Sequence, residues 1–255
     1  MADMADMQVT LIDHMGSDLS VVNAARVSMA KQSQWADVAL KRLSLNDGQL
    51  LAFLARGMSG NDFDGLVGQV LEEEDRAELI KSLQAWRRTP SHWSPFAHAT
   101  LSFHCKAPLF VARQLQKSTV GLAWNEVSRR YVDSEPEFYV PDIWRKRALD
   151  KKQGSSDEAV NAMWTDAILF DNQLNVYKRM LKLGVCPEQA RMVLPQSMMT
   201  EWVWTGTLYA FARMCMLRLD RHTQKETRDI AGMFAAHIAE LFPASWQALS
   251  DGVYD

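Results

Sequence analysis

The chain has 255 residues, of which 47% are apolar, and carries a formal net charge of −3 at pH 7. It is long enough to bury a full core as one domain over residues 1–255, and its slight negative charge argues against general nucleic-acid binding, which usually requires a basic face. No apolar run has the roughly 18 residues of a membrane span, and the acidic start is unlike a secretory signal, so we expect a cytosolic protein.

Helical patterns dominate the first ninety residues. The segment from Ser20 to Lys31 combines a possible serine cap with small apolar residues. Further on, Asn46-Asp47 precede an apolar-rich stretch that reaches Gly57, and glycine commonly stops a helix. Residues 72–88 are acidic at their start and basic at their end, as the helix dipole favours. We therefore predict three helices before residue 90.

A half-buried strand is predicted over residues 98–105, because apolar and polar side chains alternate there. The residues expected to face the core are Ala99, Leu101, Phe103 and Cys105. His98 and His104 share the opposite face but lie too far apart in an extended chain to bind one metal ion. No other group of His, Asp or Glu has metal-ligand spacing, so we expect no metal site.

The second half of the chain is predicted to be mainly helical. Long helical patterns cover residues 157–184 and 187–217, and residues 146–157, which are rich in charge, glycine and serine, are predicted to form a flexible loop. Thr223 and Glu226 have the spacing of a capping box that opens a last helix. The apolar stripe of that helix would be Ile230, Phe234, Ile238 and Leu241.

The three cysteines share no paired spacing, and we expect reduced thiols. Cys105 and Cys215 lie in apolar patterns typical of a core. Cys186 stands in a polar context just ahead of a predicted helix start at Pro187, a setting in which reactive thiolates occur. Attack on a pyrimidine ring by a Cys186 thiolate therefore stays open as an alternative mechanism.

The segment from Lys106 to Tyr131 carries most information on chemistry. Pro108 stands at a plausible first helical position, an apolar run follows, and a cluster of amide, carboxylate, hydroxyl and guanidinium groups comes after it. Arginine matches phosphate oxygens, and the other groups match the polar edge of a ring. The alternative is a surface helix end with a Glu126–Arg130 pair, worth about a few tenths of a kcal/mol.

Ordered blocks over most of the chain resemble the flavin-dependent thymidylate synthases, the ThyX family. The blocks are Ala24–Ser28, His92–His98, Lys106–Tyr131, Glu137–Pro141, Gly184–Pro195 and Leu217–Glu226. The hallmark of the family is Arg-His-Arg followed some eight residues later by Ser, inside a pattern that ends Asn-Glu-x-Ser-x-Arg-Tyr. The resemblance implies an α+β fold, with helices packed around a central antiparallel sheet, and a homotetramer whose active sites combine several subunits.

The same resemblance implies an activity and its cofactors. The enzyme would methylate dUMP to dTMP reductively, with 5,10-methylenetetrahydrofolate as carbon donor and with FAD that is reduced by NADPH. No protein nucleophile would be required. Compared with shorter members of the family, the chain would also carry a helical insertion at about residues 58–89.

Functional residues are carried over to the matching positions. Arg218 would polarise the uracil ring, with Ser128 as the second catalytic candidate. The implied dUMP-binding residues are Gln114, Glu126, Ser128, Arg130, Arg191 and Arg218. The implied FAD or folate contacts are Ser28, His92, Ser94, Lys117, Ser118, Thr119, Asn125, Arg213 and His222. Trp124, inside the signature, is a further candidate for contact with a ring.

The chain departs from the family on the flavin side. Lys117-Ser118-Thr119 stands where the family has Arg-His-Arg, and Ala97 replaces the glutamate of the Pro-Phe-Glu-His block. A lysine meets phosphate as a point charge, without the arginine fork, and serine cannot stack on a ring. Two other functions therefore stay open: a nucleotide-binding homologue with impaired catalysis, and a folate-dependent hydroxymethyltransferase that acts on a pyrimidine deoxynucleotide.

Overall fold

The structure, a computed structural model, describes residues 3–56, 92–132, 134–148, 155–160 and 166–250. The helix predicted over residues 72–88 and the insertion at about 58–89 lie outside these residues. The chain divides into two compact units. We call residues 1–13, 102–206 and 214–234 the sheet unit, and residues 14–101, 207–213 and 235–255 the helical unit.

The described strands form one larger sheet and two small ones. They are β1 (Asp3–Met4), β2 (Gln8–Met15), β3 (Thr100–Pro108), β4 (Leu122–Glu126), β5 (Glu137–Phe138), β6 (Arg145–Arg147), β7 (Ser155–Ala159) and β8 (Met199–Thr207). The larger sheet has the strand order β2-β3-β8-β4, and β4 pairs antiparallel with β8. The pair β1-β5 is parallel and the pair β6-β7 antiparallel.

The described helices confirm the predicted α+β class. They are α1 (Asp18–Arg26), α2 (Leu45–Arg56), α3 (Leu109–Leu115), α4 (Asp166–Lys182), α5 (Pro187–Ala190), α6 (Leu208–Arg218), α7 (Lys225–Leu241) and α8 (Pro243–Ser250). Short 3-10 helices cover Val27–Met29, Ser94–His98 and Arg191–Val193. None of the helices in the described ranges has the length and apolar character that a membrane span requires.

The prediction of one long helical pattern over residues 187–217 is wrong, because strand β8 interrupts it. Thr200, Trp202 and Trp204 are buried, whereas the residues between them are more exposed. This period of two, in a segment rich in aromatic and β-branched residues, is typical of a strand. β8 lies between β3 and β4 and thus supplies the centre of the sheet unit.

The predicted strand over residues 98–105 is confirmed with shifted ends. Leu101, Phe103 and Cys105 are buried and alternate with more exposed residues, but β3 begins at Thr100, after a 3-10 helix. The strand continues to Pro108, and α3 begins at Leu109. The proline is therefore the N-cap of α3 rather than its first helical residue.

Two N-terminal helix starts differ from prediction, because serines cap them earlier. The N-cap of α1 is Ser17, whose backbone N–H donates to Ser20 Oγ at 3.1 Å. Helix α2 begins at Leu45, where the hydroxyl of Ser44 accepts the N–H of Asp47 at 3.2 Å. Serine oxygens commonly satisfy free N–H groups in a first helical turn.

The predictions for residues 146–157 and 157–184 are corrected where the structure describes the chain, and residues 149–154 of the expected loop lie outside the described residues. Arg145–Arg147 and Ser155–Ala159 form paired strands at the two ends of the expected loop, and α4 is described only from Asp166. The antiparallel pairing supplies backbone hydrogen bonds that a loop would leave to solvent. The long helix predicted from residue 157 therefore begins later than its pattern indicated.

The capping box predicted at Thr223 is wrong, although the helix it was meant to open exists. Helix α7 begins at Lys225, and the Thr223 hydroxyl donates to the carbonyl of Leu217 at 3.3 Å. Ile230, Phe234 and Ile238 are fully buried, as predicted. Leu241 is partly buried, and α8 follows as a further helix.

Each unit has its own buried contacts. In the sheet unit, Phe234 meets the rings of Phe103 and Trp204 edge-on, at centroid distances of 5.0 and 5.5 Å. In the helical unit, the buried Asp18 carboxylate accepts the N–H groups of Ala244 and Ser245 at 2.9 and 2.8 Å. The first pair of contacts stabilises the core beneath the sheet, and the second caps the start of α8.

Candidate active site

The turn between α6 and α7 forms a polar pocket of about 480 Å³ in the sheet unit. Its lining residues are Gln114, Met216, Leu217, Arg218, Asp220, His222, Thr223 and Gln224. We call it the Arg218 pocket. Helix α6 ends at Arg218, so Arg218 and His222 do not share a helical face. They nevertheless line the same pocket.

Arg218 is held as a cation with a spare donor. Its Nη2 donates to the backbone carbonyl of Gln114, and its buried Nε has no hydrogen-bond partner among the described residues. Burial lowers the pKa of the guanidinium, but arginine stays protonated in proteins. A buried donor without a partner is unfavourable. Because this Nε has almost no accessible surface, a ligand in the pocket would contact the guanidinium through its other N–H groups.

The side chain of Gln114, which also lines the Arg218 pocket, is held by hydrogen bonds. Its Nε2 donates to Oε1 of Gln224 at 2.8 Å and approaches the carbonyl of Phe110 at 3.4 Å. Within the same turn, the carboxylate of Asp220 accepts the backbone N–H of His222 at 2.7 Å. The pocket therefore presents amide, imidazole and guanidinium groups whose supporting backbone is hydrogen-bonded.

A second polar pocket of about 420 Å³ also lies in the sheet unit, and we call it the Arg191 pocket. It holds two of the predicted dUMP residues, Glu126 and Arg191, together with the arginines Arg113 and Arg129. Arg191 is exposed, and its Nε donates to the carbonyl of Glu188 at 3.2 Å. These three guanidiniums share the pocket with four carboxylates, those of Glu126, Glu135, Glu137 and Glu201, so its lining carries charges of both signs.

Both carboxylate oxygens of Glu126 accept a hydrogen bond. The hydroxyl of Thr200 donates to Oε1 at 2.8 Å, and the indole N–H of Trp124 donates to Oε2 at 3.2 Å. Trp124 in turn stacks on Trp202, with centroids 4.3 Å apart and planes at 15°. Trp124, a candidate for contact with a ligand ring, thus stacks on Trp202 of the same chain.

Glu126 is the last residue of strand β4 and is followed by a turn at residues 129–131. This geometry excludes the alternative of a surface helix with a Glu126–Arg130 pair. Sequence reasoning missed Thr200, because it lies in the strand that was mistaken for helix. The available signal was the spacing of two between Thr200, Trp202 and Trp204, which is typical of a strand.

Ser128 and Arg130 lie in the turn after β4. The Nε of Arg130 donates to Ser128 Oγ at 3.1 Å, and the guanidinium lies 5.0 Å from the ring centroid of Tyr131. Arg130 and Tyr131 are exposed. Neither Ser128 nor Arg130 lines the Arg218 or Arg191 pocket.

Within the described part of the chain, the predicted dUMP residues are therefore divided between the two pockets and the turn after β4. Gln114 and Arg218 line the Arg218 pocket, and Glu126 and Arg191 line the Arg191 pocket. The remaining dUMP residues lie in the turn after β4. Both pockets belong to the sheet unit, so this division is a property of one compact unit.

The altered triplet follows the end of α3. The backbone N–H of Ser118 donates to the carbonyl of Leu115 at 2.9 Å, whereas Lys117 and Thr119 are exposed. No ion pair of Lys117 is found within the described ranges. Asn125 is exposed on β4. Lys117, Thr119 and Asn125 thus present exposed polar side chains in the sheet unit.

The helical unit contains the other predicted flavin or folate contacts. His92 stacks on Phe53, with ring centroids 5.4 Å apart. Trp93, which sequence reasoning missed, stacks on Tyr209 at 5.7 Å, and the Arg213 guanidinium lies 5.8 Å from the centroid of Tyr209. Trp93 is 51% exposed, so this group presents a ring surface and a cation to solvent.

The two serines of the helical unit that were predicted to contact flavin or folate are both exposed. Ser94 is exposed at the start of the 3-10 helix that precedes β3. Ser28 is exposed in the 3-10 helix after α1, and its hydroxyl donates to the carbonyl of Ala25 at 2.9 Å. Both hydroxyls are accessible to a ligand.

The cysteines lie where their sequence context indicated. Cys105 and Cys215 are buried, and burial raises the pKa of both thiols. Cys186 is exposed and forms the N-cap of α5, which confirms the helix start at Pro187. Among the described residues, no group of three His, Cys, Asp or Glu side chains is arranged to hold a metal ion.

Comparison with known proteins adds independent findings. The family model described as "Thymidylate synthase complementing protein" matches residues 10–244. A flavin-dependent thymidylate synthase from Thermosipho africanus is 32% identical over 249 residues, which cover 96% of this chain and 91% of that protein. One from Thermus thermophilus is also 32% identical, over 95% of this chain and 75% of that protein.

A solved structure agrees with these sequence matches. The crystal structure of a UMP/dUMP methylase from Streptomyces cacaoi, bound with 5-Br dUMP, has a TM-score of 0.72 and 26% sequence identity. The alignment covers 98% of this chain and 97% of the methylase. The similarity therefore extends over both units and includes every block that the sequence singled out.

Proposed function

This chain belongs to the thymidylate synthase complementing protein family, the flavin-dependent thymidylate synthases, and on that premise we propose that it methylates dUMP to dTMP. The carbon donor in this proposal is 5,10-methylenetetrahydrofolate, and the flavin is FAD reduced by NADPH. A cytosolic location and a single domain over residues 1–255 remain predictions that belong to the same proposal.

The observation that carries the proposal is the state of Arg218. Its guanidinium is fixed by the Gln114 carbonyl and retains a buried Nε–H without a partner. A uracil carbonyl oxygen would accept from this arginine, which would stabilise negative charge that develops on the ring during transfer of the one-carbon unit. Such fixed donors contribute most where charge appears only in the transition state.

The arginines of the other predicted positions suit the phosphate of dUMP. Arg191 and Arg130 present exposed guanidiniums, and forked N–H groups match phosphate oxygens. Ser128 would donate its hydroxyl to the same phosphate. Glu126, held by Thr200 and Trp124, would accept a hydrogen bond from the nucleotide and fix its orientation.

The residues available for the flavin fit such a group. Within the helical unit, the Trp93–Tyr209 stack and Arg213 offer a ring surface and a cation. When bound, the flavin supplies the reducing equivalents for the methyl group. The side chains of this protein then have to bind the nucleotide, orient it and polarise its ring.

The division of the dUMP residues between two pockets supports a shared active site. If Arg218 of one subunit and Arg191 of another bind the same nucleotide, the two residues need not line the same pocket within one chain. A homotetramer with composite sites has this property, because symmetric assemblies repeat the same contact between copies. This is the quaternary structure that we propose.

Complementation between inactive variants tests the proposal. At a dUMP concentration below the KM of the parent, Arg218→Ala and Arg191→Ala should each lose most dTMP formation when expressed alone. When the two variants are co-expressed in equal amounts and pair at random, about half of the pairs contain one copy of each. One of the two sites in such a pair keeps both arginines, so about a quarter of the parent activity should return. Co-expression of two differently tagged Arg218→Ala chains is the control. Absence of recovery in correctly assembled hybrids would show that one chain supplies both arginines.

The identity of the product separates the proposed reaction from its alternatives. The altered triplet Lys117-Ser118-Thr119 is the observation that favours either a hydroxymethylated product or impaired catalysis. Mass spectrometry of dUMP incubated with the folate, NADPH and FAD should detect dTMP. A hydroxymethyl nucleotide would change the reaction assigned here. Colourless protein that binds dUMP but neither binds flavin nor converts the nucleotide would contradict the enzyme.

A further inference from the structure

A row of polar side chains leads from the interior of the sheet unit to the Arg218 pocket. We call Arg145, Glu226, Gln224 and Gln114 the polar relay. At its inner end, Nη2 of Arg145 contacts Oε1 of Glu226 at 2.6 Å, and the two side chains are 11% and 5% exposed. Breaking such a buried pair is unfavourable, because it leaves an uncompensated charge. The carboxylate of Glu226 is therefore held in place at the start of α7.

Glu226 is the member of the polar relay that can only accept hydrogen bonds. Burial raises the pKa of its carboxyl, but hydrogen bonds from Arg145, from the backbone N–H of Glu226 and from the side chain of Gln224 outweigh this effect. The pKa therefore lies below its usual value, and the group is ionised. Because an ionised carboxylate has no donor, Gln224 faces it with the amide nitrogen and directs its amide oxygen elsewhere.

The orientation of Gln224 determines that of Gln114. Oε1 of Gln224 accepts from Nε2 of Gln114 at 2.8 Å, and the carbonyl of Phe110 lies 3.4 Å from the same nitrogen. Both neighbours of this nitrogen are acceptors, so a reversed amide would bring oxygen against oxygen. A hydrogen-bond network of this kind fixes which end of an amide is the oxygen.

The amide oxygen of Gln114 remains available to a ligand. Gln114 lines the Arg218 pocket, and none of the described residues donates a hydrogen bond to its Oε1. This oxygen is also not one of the buried polar atoms without a partner, so it is accessible. The Arg218 pocket thus offers an acceptor on Gln114 together with the guanidinium donors of Arg218.

An acceptor and a donor in one pocket match the edge of uracil. In a uracil nucleotide the only ring N–H is at N3, between the two carbonyl groups, and it is adjacent to whichever carbonyl oxygen accepts from Arg218. Cytosine has no hydrogen at N3 and presents a lone pair there. A site that accepts a hydrogen bond from the substrate discriminates strongly against an analogue without that donor.

We propose that the polar relay turns the amide oxygen of Gln114 toward the nucleotide, where it accepts the N3–H of uracil and disfavours cytosine. Arg145, Glu226 and Gln224 are then positioning residues, since they act on the ring only through Gln114. This inference rests on the proposed function, because it takes dUMP as the ligand. It adds the group that distinguishes the uracil ring from the cytosine ring and the reason for its orientation.

Glu226→Gln tests the polar relay, because it keeps the shape of the side chain but removes the carboxylate. The new amide can keep its oxygen toward Arg145 and turn its nitrogen toward Gln224, which would reverse the amides of Gln224 and Gln114. The pocket would then present an N–H in place of the oxygen. In calorimetric titrations of the full chain, the preference for dUMP over dCMP should fall by about tenfold or more.

Asp229→Asn is the matched control for this substitution. It also changes a carboxylate of α7 into an amide, but the Asp229 side chain is 39% exposed and pairs with Lys225. The preference for dUMP should therefore stay at the parent level. An equal loss of affinity for both nucleotides in Glu226→Gln would indicate a structural role alone and would overturn the proposal. A parent chain that binds dUMP and dCMP equally would also overturn it.

A reciprocal exchange provides the rescue. When Glu226→Gln is combined with Gln114→Glu, the carboxylate at position 114 accepts from the reversed Gln224 and still presents an oxygen to the pocket. The double variant should bind dUMP more tightly than Glu226→Gln, although each single substitution weakens binding. Such coupling is expected for residues of one hydrogen-bond network. No recovery in a folded double variant would overturn the proposal.

Gln224→Met provides a second variant in case Glu226→Gln does not fold. It leaves the ion pair intact and frees the amide of Gln114, so the preference for dUMP should again fall, by about fivefold or more. An unchanged preference overturns the proposal. Formation of dTMP by the parent separates the two proposals. If the parent converts dUMP and the folded variants keep its preference, only the polar relay is refuted, whereas a parent that does not bind dUMP refutes both.

Discussion

The nucleotide-side residues and the flavin-side residues differ in how firmly their polar groups are held. Glu126 accepts two side-chain hydrogen bonds, and Arg218 is fixed on the Gln114 carbonyl. By contrast, Lys117 and Thr119 are exposed after the end of α3. One region is arranged before a ligand arrives, whereas the other keeps its side-chain freedom.

This difference has an energetic meaning. A group that is already fixed loses little entropy on binding, while a free lysine side chain must be ordered by the ligand itself. Fixed groups also stabilise transition-state charge without reorganisation. We therefore expect substitutions among the fixed residues to affect catalysis strongly, and changes in the exposed turn to affect mainly cofactor affinity.

The largest effect is expected for Arg218→Ala. Loss of the fixed guanidinium should lower kcat/KM for dUMP by about 10²–10³-fold, the scale of one lost oxyanion donor. Arg218→Lys should restore little of it, because one ammonium cannot replace a fork that reaches both the Gln114 carbonyl and a ring oxygen. Steady-state kinetics would measure this. A kcat/KM within a few-fold of the parent would remove Arg218 from the site.

The phosphate residues should affect binding. Arg130→Ala and Arg191→Ala should each weaken dUMP binding by about 1.5–3 kcal/mol, as expected for a hydrogen bond to a charged group. Titration of dUMP into each variant measures the effect. Arg42→Ala, an exposed arginine of the helical unit, is the control. Affinity within twofold of the parent would show that the tested residue does not bind the nucleotide.

Restoring Arg-His-Arg at residues 117–119 should tighten FAD binding about tenfold or more, because forked contacts replace a point charge. Flavin fluorescence quenching compares the parent with the triple variant, and dUMP affinity should stay unchanged. Equal or tighter FAD binding by the parent would mean that other residues hold the flavin. Arg213 and His222 are then the candidates, and the contrast between the two regions would lose its basis.

Thr200→Val tests the support of Glu126. Removal of the hydroxyl should lower kcat/KM by roughly fivefold to tenfold, the scale of one hydrogen bond to a carboxylate, while Thr200→Ser should retain parent activity. If Thr200 only stabilised the fold, both substitutions would lower the Tm without a specific effect on kcat/KM. The idea fails if Thr200→Val reduces the Tm but leaves kcat/KM for dUMP unaltered.

The smallest effect is expected for Cys186→Ala. Turnover should remain within about tenfold of the parent, since the flavin-dependent reaction requires no thiolate. The exposed thiol lies at the N-cap of α5. A loss on the order of ten-thousand-fold, with a covalent dUMP adduct trapped in the parent, would establish nucleophilic catalysis instead.

Sequence patterns predicted the local parts of the fold better than its central strand. The alternation in β3 depends on neighbours in the chain, and the strand it predicts is confirmed. The segment Met199–Thr207 was mistaken for helix because apolar patterns on both sides continue into it. Its pairing with β4, as in Glu126 opposite Trp202, joins residues far apart in sequence.

The candidate site was predictable as a set of residues but not as a geometry. The resemblance indicated Glu126 and Arg218, but nothing local in the sequence shows that Thr200 holds one and the Gln114 carbonyl holds the other. These supports join positions 74 and 104 residues apart. The division into two pockets likewise depends on packing, which single-sequence periodicity does not encode.

The burial of two cysteines gives the third a practical use. Cys105 and Cys215 are buried with raised thiol pKa values, and thiols in that state react slowly with electrophiles. A maleimide dye should therefore attach to Cys186 alone. Helix α5 separates this position from Arg191, so a single fluorophore would report on nucleotide entering the Arg191 pocket without any engineered substitution.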